Sequence, residues 1–65
     1  MGMRTLRIGM SGTDVMEIQA MLQKLGYYTG AIDGIFGPQM QQAVIAFQRQ
    51  FGLTPDGVIG PNTHF

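Results

Sequence analysis

Two stretches of this chain space their apolar side chains at the period of a helix. Between Thr13 and Leu25, Val15, Ile18, Leu22 and Leu25 fall at i, i+3, i+7 and i+10, which is one face of an α-helix. Between Pro38 and Phe51, a second such face carries Met40, Ala43, Val44, Phe47 and Phe51. Neither stretch contains glycine except at its flanks, where nine of the chain's ten glycines cluster at Gly9 and Gly12, Gly26 to Gly37, and Gly52 to Gly60. These clusters predict where the helices stop. Ser11-x-x-Asp14 fits a capping pattern ahead of the first helix, and Gly26 suits its C′ position. Pro38 suits the first position of the second helix, where its missing N–H costs nothing, and Gly52 closes that helix. A third start at Gly60-Pro61 has room for one turn at most before Phe65, so the third helix is expected to be truncated.

The two halves also match each other. Val15-x-x-Ile18-Gln19 corresponds to Val44-x-x-Phe47-Gln48, and each is followed by a helix-ending glycine. Then come Asp33-Gly34-Ile35-Phe36-Gly37-Pro38 in one half and Asp56-Gly57-Val58-Ile59-Gly60-Pro61 in the other, identical at four of six positions. Asp-Gly is a strong turn signal, because Asp bonds nearby backbone N–H groups and Gly takes a positive φ without penalty. The apolar pairs Ile35-Phe36 and Val58-Ile59 are expected to plug each loop into the core. Gln19 and Gln48 sit beside the apolar stripes, where an amide offers both a donor and an acceptor to the unpaired backbone of a loop. Two copies of such a unit are too few for a superhelix, and a compact all-α arrangement of three helices with pseudo-symmetric loops is the better expectation.

Composition narrows the function. Four cations (Arg4, Arg7, Lys24, Arg49) balance four carboxylates (Asp14, Glu17, Asp33, Asp56), so the chain lacks the basic patch that accompanies nucleic-acid binding. There is no cysteine and a single histidine, His64, which argues against a metal centre built on thiolates or imidazoles. Stability must come from apolar packing in a single domain, and a hydrophobic content of 45% is enough for a small core. No apolar run approaches the roughly 20 residues that cross a bilayer. The first nine residues carry two arginines without an apolar run behind them and do not read as a signal peptide. Met1-Gly2 ahead of Met3 reads as a cloning remnant, leaving residues 1–5 as a tail and 6–65 as the folded module.

Catalysis finds little support. Acid–base hydrolysis needs carboxylates, or a carboxylate and a histidine, converging on a cleft. Asp33 and Asp56 belong to the duplicated turns, and Asp14 and Glu17 lie in a first helical turn, where negative charge is favoured. Ser11 has only the terminal His64 as a potential base, and no phosphate-binding Gly-rich loop with Lys-Ser/Thr is present. No catalytic residue, metal ligand or cofactor is therefore assigned.

The combined motifs resemble the peptidoglycan-binding domain 1 family. They are Leu6-Arg7-x-Gly9-x-x-Gly12-x-Asp14-Val15-x-x-Ile18-Gln19-x-x-Leu22, Leu25-Gly26-Tyr27, Asp33-Gly34-x-Phe36-Gly37-Pro38, Ala43-Val44-x-x-Phe47-Gln48 and Gly52-Leu53-x-x-Asp56-Gly57-Val58-x-Gly60-Pro61-x-Thr63. The resemblance covers the chain from Leu6 to Thr63. It implies a small closed three-helix orthogonal bundle with two internal repeats, acting as a non-catalytic module that attaches a fused wall hydrolase or peptidase to peptidoglycan. It further implies a monomer located in the cell wall or outside the cell, with neither nucleic acid nor membrane as partner. A protein-interaction or pro-segment-like docking domain for a partner peptidase is the alternative. Two departures stand out. Met40 replaces the threonine that usually follows the first Gly-Pro-x, so packing is expected where a hydroxyl cap would be. The chain also stops at Phe65, short of the family's longer last helix.

For a wall ligand the expected contacts are Tyr28, Asp33, Phe36, Gln39 and Gln42. If Tyr27 packs inward, Tyr28 is the exposed ring for a sugar face. Gln39, Gln41 and Gln42 supply amides, and the free N–H groups past Pro38 suit a carboxylate. The same residues admit a second reading, in which the aspartates only shape turns and the glutamines only form a solvated helical face. The expected site is a shallow groove between the Tyr28–Phe36 loop and the start of the second helix.

Overall fold

The structure, a computed structural model, describes residues 5–60. Two α-helices carry the fold, α1 (Thr13–Lys24) and α2 (Pro38–Gln50), and there is no extended strand among the described residues. The third helical start at Pro61 lies outside the described residues, as does His64.

The apolar stripes face one another. Val15, Ile18 and Leu22 of α1 are buried with Met40, Ala43, Val44 and Phe47 of α2. Leu6, Tyr28, Phe36 and Ile59 complete this core from the connecting segments. Met40 is fully enclosed, so packing does replace a hydroxyl at that position. The outermost stripe positions depart from expectation. Leu25 is half exposed, and Phe51 is 58% exposed, resting its ring on Phe47 with centroids 4.5 Å apart. Both lie at the helix C-caps, where the chain is already turning away from the core.

Both helices close in the same way. Tyr27 N–H donates to Leu22 O (2.8 Å) and Gly26 N–H to Gln23 O (3.1 Å). At the end of α2, Leu53 N–H donates to Gln48 O (2.8 Å) and Gly52 N–H to Arg49 O (3.3 Å). These are the paired bonds of a Schellman closure, with glycine at C′. The starts differ from expectation: α1 is capped by Gly12 and not by a Ser11 side chain, and the Asp14 carboxylate accepts instead from Val15 N–H at 2.9 Å. The backbone of Gly12 is held from the other side, its N–H donating to Gly34 O (3.0 Å), which pins the helix start to the first Asp-Gly loop.

The segment before α1 ties the two loops together. Leu6 exchanges two backbone hydrogen bonds with Ile59 (2.9 and 2.8 Å) in an antiparallel bridge. Gly9 N–H then donates to Phe36 O (2.9 Å), and Phe36 N–H to Met10 O (2.8 Å). A second antiparallel bridge pairs Ser11 with Ile35. The side chains divide accordingly. Phe36 and Ile59 fill the core as expected, Val58 is half-buried, and Ile35 is turned outward with 57% exposure.

Candidate functional site: two glutamine-clamped loops and the start of α2

Gln19 and Gln48 are buried polar side chains in an apolar core, so their hydrogen bonds decide whether the fold tolerates them. Gln19 Nε2 donates to Asp33 Oδ1 (3.0 Å) and to Ile35 O (3.0 Å), while its Oε1 accepts from Gly34 N–H (2.8 Å). Gln48 repeats the pattern, donating to Asp56 Oδ1 (3.1 Å) and Val58 O (2.9 Å) and accepting from Gly57 N–H (3.0 Å). Each aspartate oxygen also accepts the backbone N–H two residues on, from Ile35 (3.0 Å) and Val58 (2.9 Å). The expected role of the amides is thus met on both loops. No buried side-chain N or O among the described residues lacks a partner.

The equivalence extends to the packing. Gly34 and Gly57 have φ of 74° and 75°, and each presses against its helix. A Cβ on Gly34 would meet Gly12 O and Met16, and one on Gly57 would meet Gln41 and Ile45. Helix positions are related by 29 residues (Gly12 to Gln41, Met16 to Ile45, Gln19 to Gln48) and loop positions by 23 (Asp33 to Asp56, Gly34 to Gly57). The connection after α1 is therefore six residues longer than that after α2. Tyr28 lies in this longer connection.

Tyr28 is the main correction to the expected site. It is 5% exposed, whereas Tyr27 is half-buried and meets Phe47 edge-on at 5.7 Å. The Tyr28 hydroxyl donates to Ala31 O (2.6 Å) and accepts from Gln19 Nε2 (3.4 Å). Tyr28 therefore packs its ring in the core and spends its polar end bracing the loop, leaving no ring face for a sugar. Phe36 is likewise buried and presents no ring. Burial raises the Tyr28 phenol pKa above its ordinary value, and the nearby Asp33 charge acts in the same direction.

Of the other expected contacts, Asp33, Gln39 and Gln42 are exposed and Gln41 is half-buried. Gln39 Nε2 donates to Thr29 Oγ1 (3.3 Å), joining the start of α2 to the long connection. Gly30 lies against Gln39 and Tyr28, since a Cβ there would fall 2.6 Å from Gln39 Oε1 and 2.7 Å from Tyr28 Oη. Asp33 and Asp56 both have lowered carboxyl pKa values. For Asp33 the Gln19 amide is the leading cause, followed by Ile35 N–H; for Asp56 it is Val58 N–H, with Gln48 adding to it against an opposing desolvation. Thr29 was missed by sequence reasoning, and its only signal was its position in a glycine-bounded connection.

A small helical unit with two such clamped Asp-Gly loops defines a class. The family profile described as "Putative peptidoglycan binding domain" matches residues 11–64, and the chain belongs to that family. It is 52% identical over 52 residues to an N-acetylmuramoyl-L-alanine amidase, CwlM, of Mycobacterium tuberculosis, covering 80% of this chain and 13% of the amidase. It is 48% identical over 61 residues to the spore cortex-lytic enzyme of Bacillus subtilis, covering 92% of this chain and 20% of that enzyme. Among solved structures it is similar to the SleB N-terminal domain, with a TM-score of 0.86 and 44% identity over 88% of this chain and 78% of that one. The chain thus spans a fifth or less of these two enzymes.

Proposed function

We propose that the chain is a non-catalytic peptidoglycan-binding module that holds a fused wall hydrolase or peptidase on its substrate, in the cell wall or outside the cell. The observation that carries this reading is the family match over residues 11–64, beside the similarity to an N-acetylmuramoyl-L-alanine amidase and a spore cortex-lytic enzyme. The chemistry of the folded chain is in keeping with it. Asp33 and Asp56 serve as acceptors inside their own loops, which is a structural use of a carboxylate. The zero formal net charge offers little long-range attraction to a polyanion, and no helix among the described residues is long and apolar enough to cross a membrane. In this reading the chain works as a monomer and folds as a small closed three-helix orthogonal bundle.

With Tyr28 and Phe36 enclosed, the binding surface we propose is polar. Gln39 and Gln42 on α2, Thr29 and the outer oxygen of Asp33 would meet the amides of a stem peptide, in place of aromatic stacking on a sugar. A single shallow surface of this kind gives weak affinity, and tethering raises the effective concentration of a linked enzyme at its substrate. Chemical-shift mapping with soluble muropeptides tests the site. Shifts at Thr29, Asp33, Gln39 and Gln42 are expected, and shifts confined to the opposite face would overturn this placement. Sedimentation with purified sacculi tests the function itself; retention by a partner peptidase without retention by sacculi would establish the docking alternative.

A further inference from the structure

Among aspartyl dipeptides Asp-Gly is the one most prone to rearrange its own backbone, and this chain has two, Asp33-Gly34 and Asp56-Gly57, each with a buried glycine. The glycine nitrogen attacks the aspartate side-chain carbonyl carbon, water leaves, and a five-membered succinimide forms. Water then opens the ring at either carbonyl. Opening at one side restores aspartate; opening at the other gives isoaspartate, in which the main chain runs through the side-chain carbon. The net change adds no atoms and needs no oxidant, reductant or second reactant. The reaction requires a glycine N–H that can lose its proton, a carboxyl free to swing onto that nitrogen, and an –OH leaving group supplied by protonation.

Each glutamine blocks these requirements together. Gln19 Oε1 holds the Gly34 N–H at 2.8 Å, and Gln48 Oε1 holds that of Gly57 at 3.0 Å, so the attacking nitrogen is committed as a donor. The Nε2 of the same amide grips the carboxylate at 3.0 Å in the first loop and 3.1 Å in the second. That oxygen also accepts the N–H two residues on (Ile35 or Val58), a second bond that holds the carboxyl whose carbon the glycine nitrogen would have to attack. Both glycine residues are themselves buried, so the attacking nitrogen sits in a packed setting. The lowered carboxyl pKa values work in the same direction, keeping the poor leaving group in place.

We propose that Asp33-Gly34 and Asp56-Gly57 are latent isoaspartate sites, and that Gln19 and Gln48 each hold one of them in the unmodified state by binding both reacting groups at once. Conversion at either loop adds a methylene to the main chain and removes the aspartate from its own turn, so a converted loop no longer fits its glutamine. Isoaspartate returns to aspartate only by closing the same succinimide again.

The arrangement supplies its own control, because the two sites share one chain and one global stability. Wild type, Gln48→Met and Gln19→Met are incubated near neutral pH under conditions where circular dichroism shows each to be folded. Isoaspartate is then quantified at each site by peptide mapping with electron-based fragmentation. Gln48→Met is expected to raise the rate at Asp56 by about tenfold, in line with freeing one buried amide hydrogen bond, and to leave Asp33 at its wild-type rate. Gln19→Met should do the converse. Leu22→Ala, which weakens the core but leaves both clamps intact, distinguishes local release from general unfolding. Equal acceleration at both sites in each glutamine variant, matching that of Leu22→Ala at the same stability, would overturn the proposal, as would wild-type rates at the site whose glutamine has been replaced.

Discussion

Gln48 and Asp56, eight residues apart, meet with the amide nitrogen 3.1 Å from the carboxylate, while the same amide accepts the N–H of the next residue, Gly57, at 3.0 Å. One buried side chain therefore closes a loop that would otherwise carry orphaned main-chain groups into the core. Replacing Gln48 by Leu leaves Gly57 N–H and Val58 O without these partners, and such buried groups cost about 1–3 kcal/mol each when left unmade. A net loss of about 2–3 kcal/mol is expected, with Gln19→Leu similar. Urea unfolding would report it as a lower midpoint at unchanged slope; a loss under about 0.5 kcal/mol, the range of an ordinary surface change, would contradict the clamp.

The two carboxylates make the fold sensitive to acid. Their folded pKa values lie below the ordinary value, so the stability they contribute is fully present above the unfolded carboxylate range, about pH 4. It is lost as pH falls through the lowered folded values. The melting temperature should therefore hold between about pH 5 and 7 and decline below about pH 4, a decline shallower in the Asp33→Ser, Asp56→Ser double variant. Identical acid limbs in the two proteins would show that other groups govern the loss.

Alanine at the two turn glycines should separate them. Both adopt a left-handed φ, which costs an alanine about 1–2 kcal/mol at either site. The Gly34 Cβ would additionally fall 3.2 Å from the main-chain Gly12 O, whereas the Gly57 Cβ would meet Gln41 Cγ at 3.0 Å, on a side chain with rotatable bonds. Gly34→Ala is expected to be the more damaging. Calorimetry of both variants decides it, and the reverse order would mean that Gln41 cannot move aside.

The folded unit begins earlier than the family match, which starts at residue 11. Leu6 is fully buried (0% exposed) and bonded twice to Ile59. A chain starting at Ser11 should lose the dispersion of its amide NMR spectrum, while one starting at Thr5 keeps it. Leu6→Ala alone is expected to cost about 2–5 kcal/mol, the range for truncating a buried leucine.

Binding should separate from stability at Gln39 and Gln42, which are exposed on α2. Alanine at both positions is expected to reduce retention on sacculi several-fold while the melting curve stays within the range of ordinary surface changes. Unchanged retention would move the wall-binding surface elsewhere.

The helices were legible because their information is periodic: Val15, Ile18 and Leu22, and likewise Met40, Val44 and Phe47, announce a buried face before any tertiary contact is known. The Schellman closures at Gly26 and Gly52 and the amide role of Gln19 and Gln48 followed from local chemistry of the same kind. The loops were not legible to that depth. Tyr27 and Tyr28 are adjacent in a non-periodic segment, so nothing local says which ring turns inward. The choice rests on a carbonyl at Ala31 and an amide at Gln19 that only the folded chain brings to the Tyr28 hydroxyl. Ile35 points outward for a related reason, since its backbone is taken up by Asp33, Gln19 and the bridge to Ser11, and its neighbour Phe36 already fills the core. The Ser11 cap failed because Gly12 occupies the cap position, with its backbone in use on the Gly34 loop.

The pairing of Leu6 with Ile59 has a mechanical consequence. It clips the segment that leads into α1 onto the end of the second Asp-Gly loop, so the start of the described unit is held by its last loop. Tension applied between Thr5 and Gly60 would load the two Leu6–Ile59 hydrogen bonds first and peel the N-terminal segment from the loops before it reached either helix.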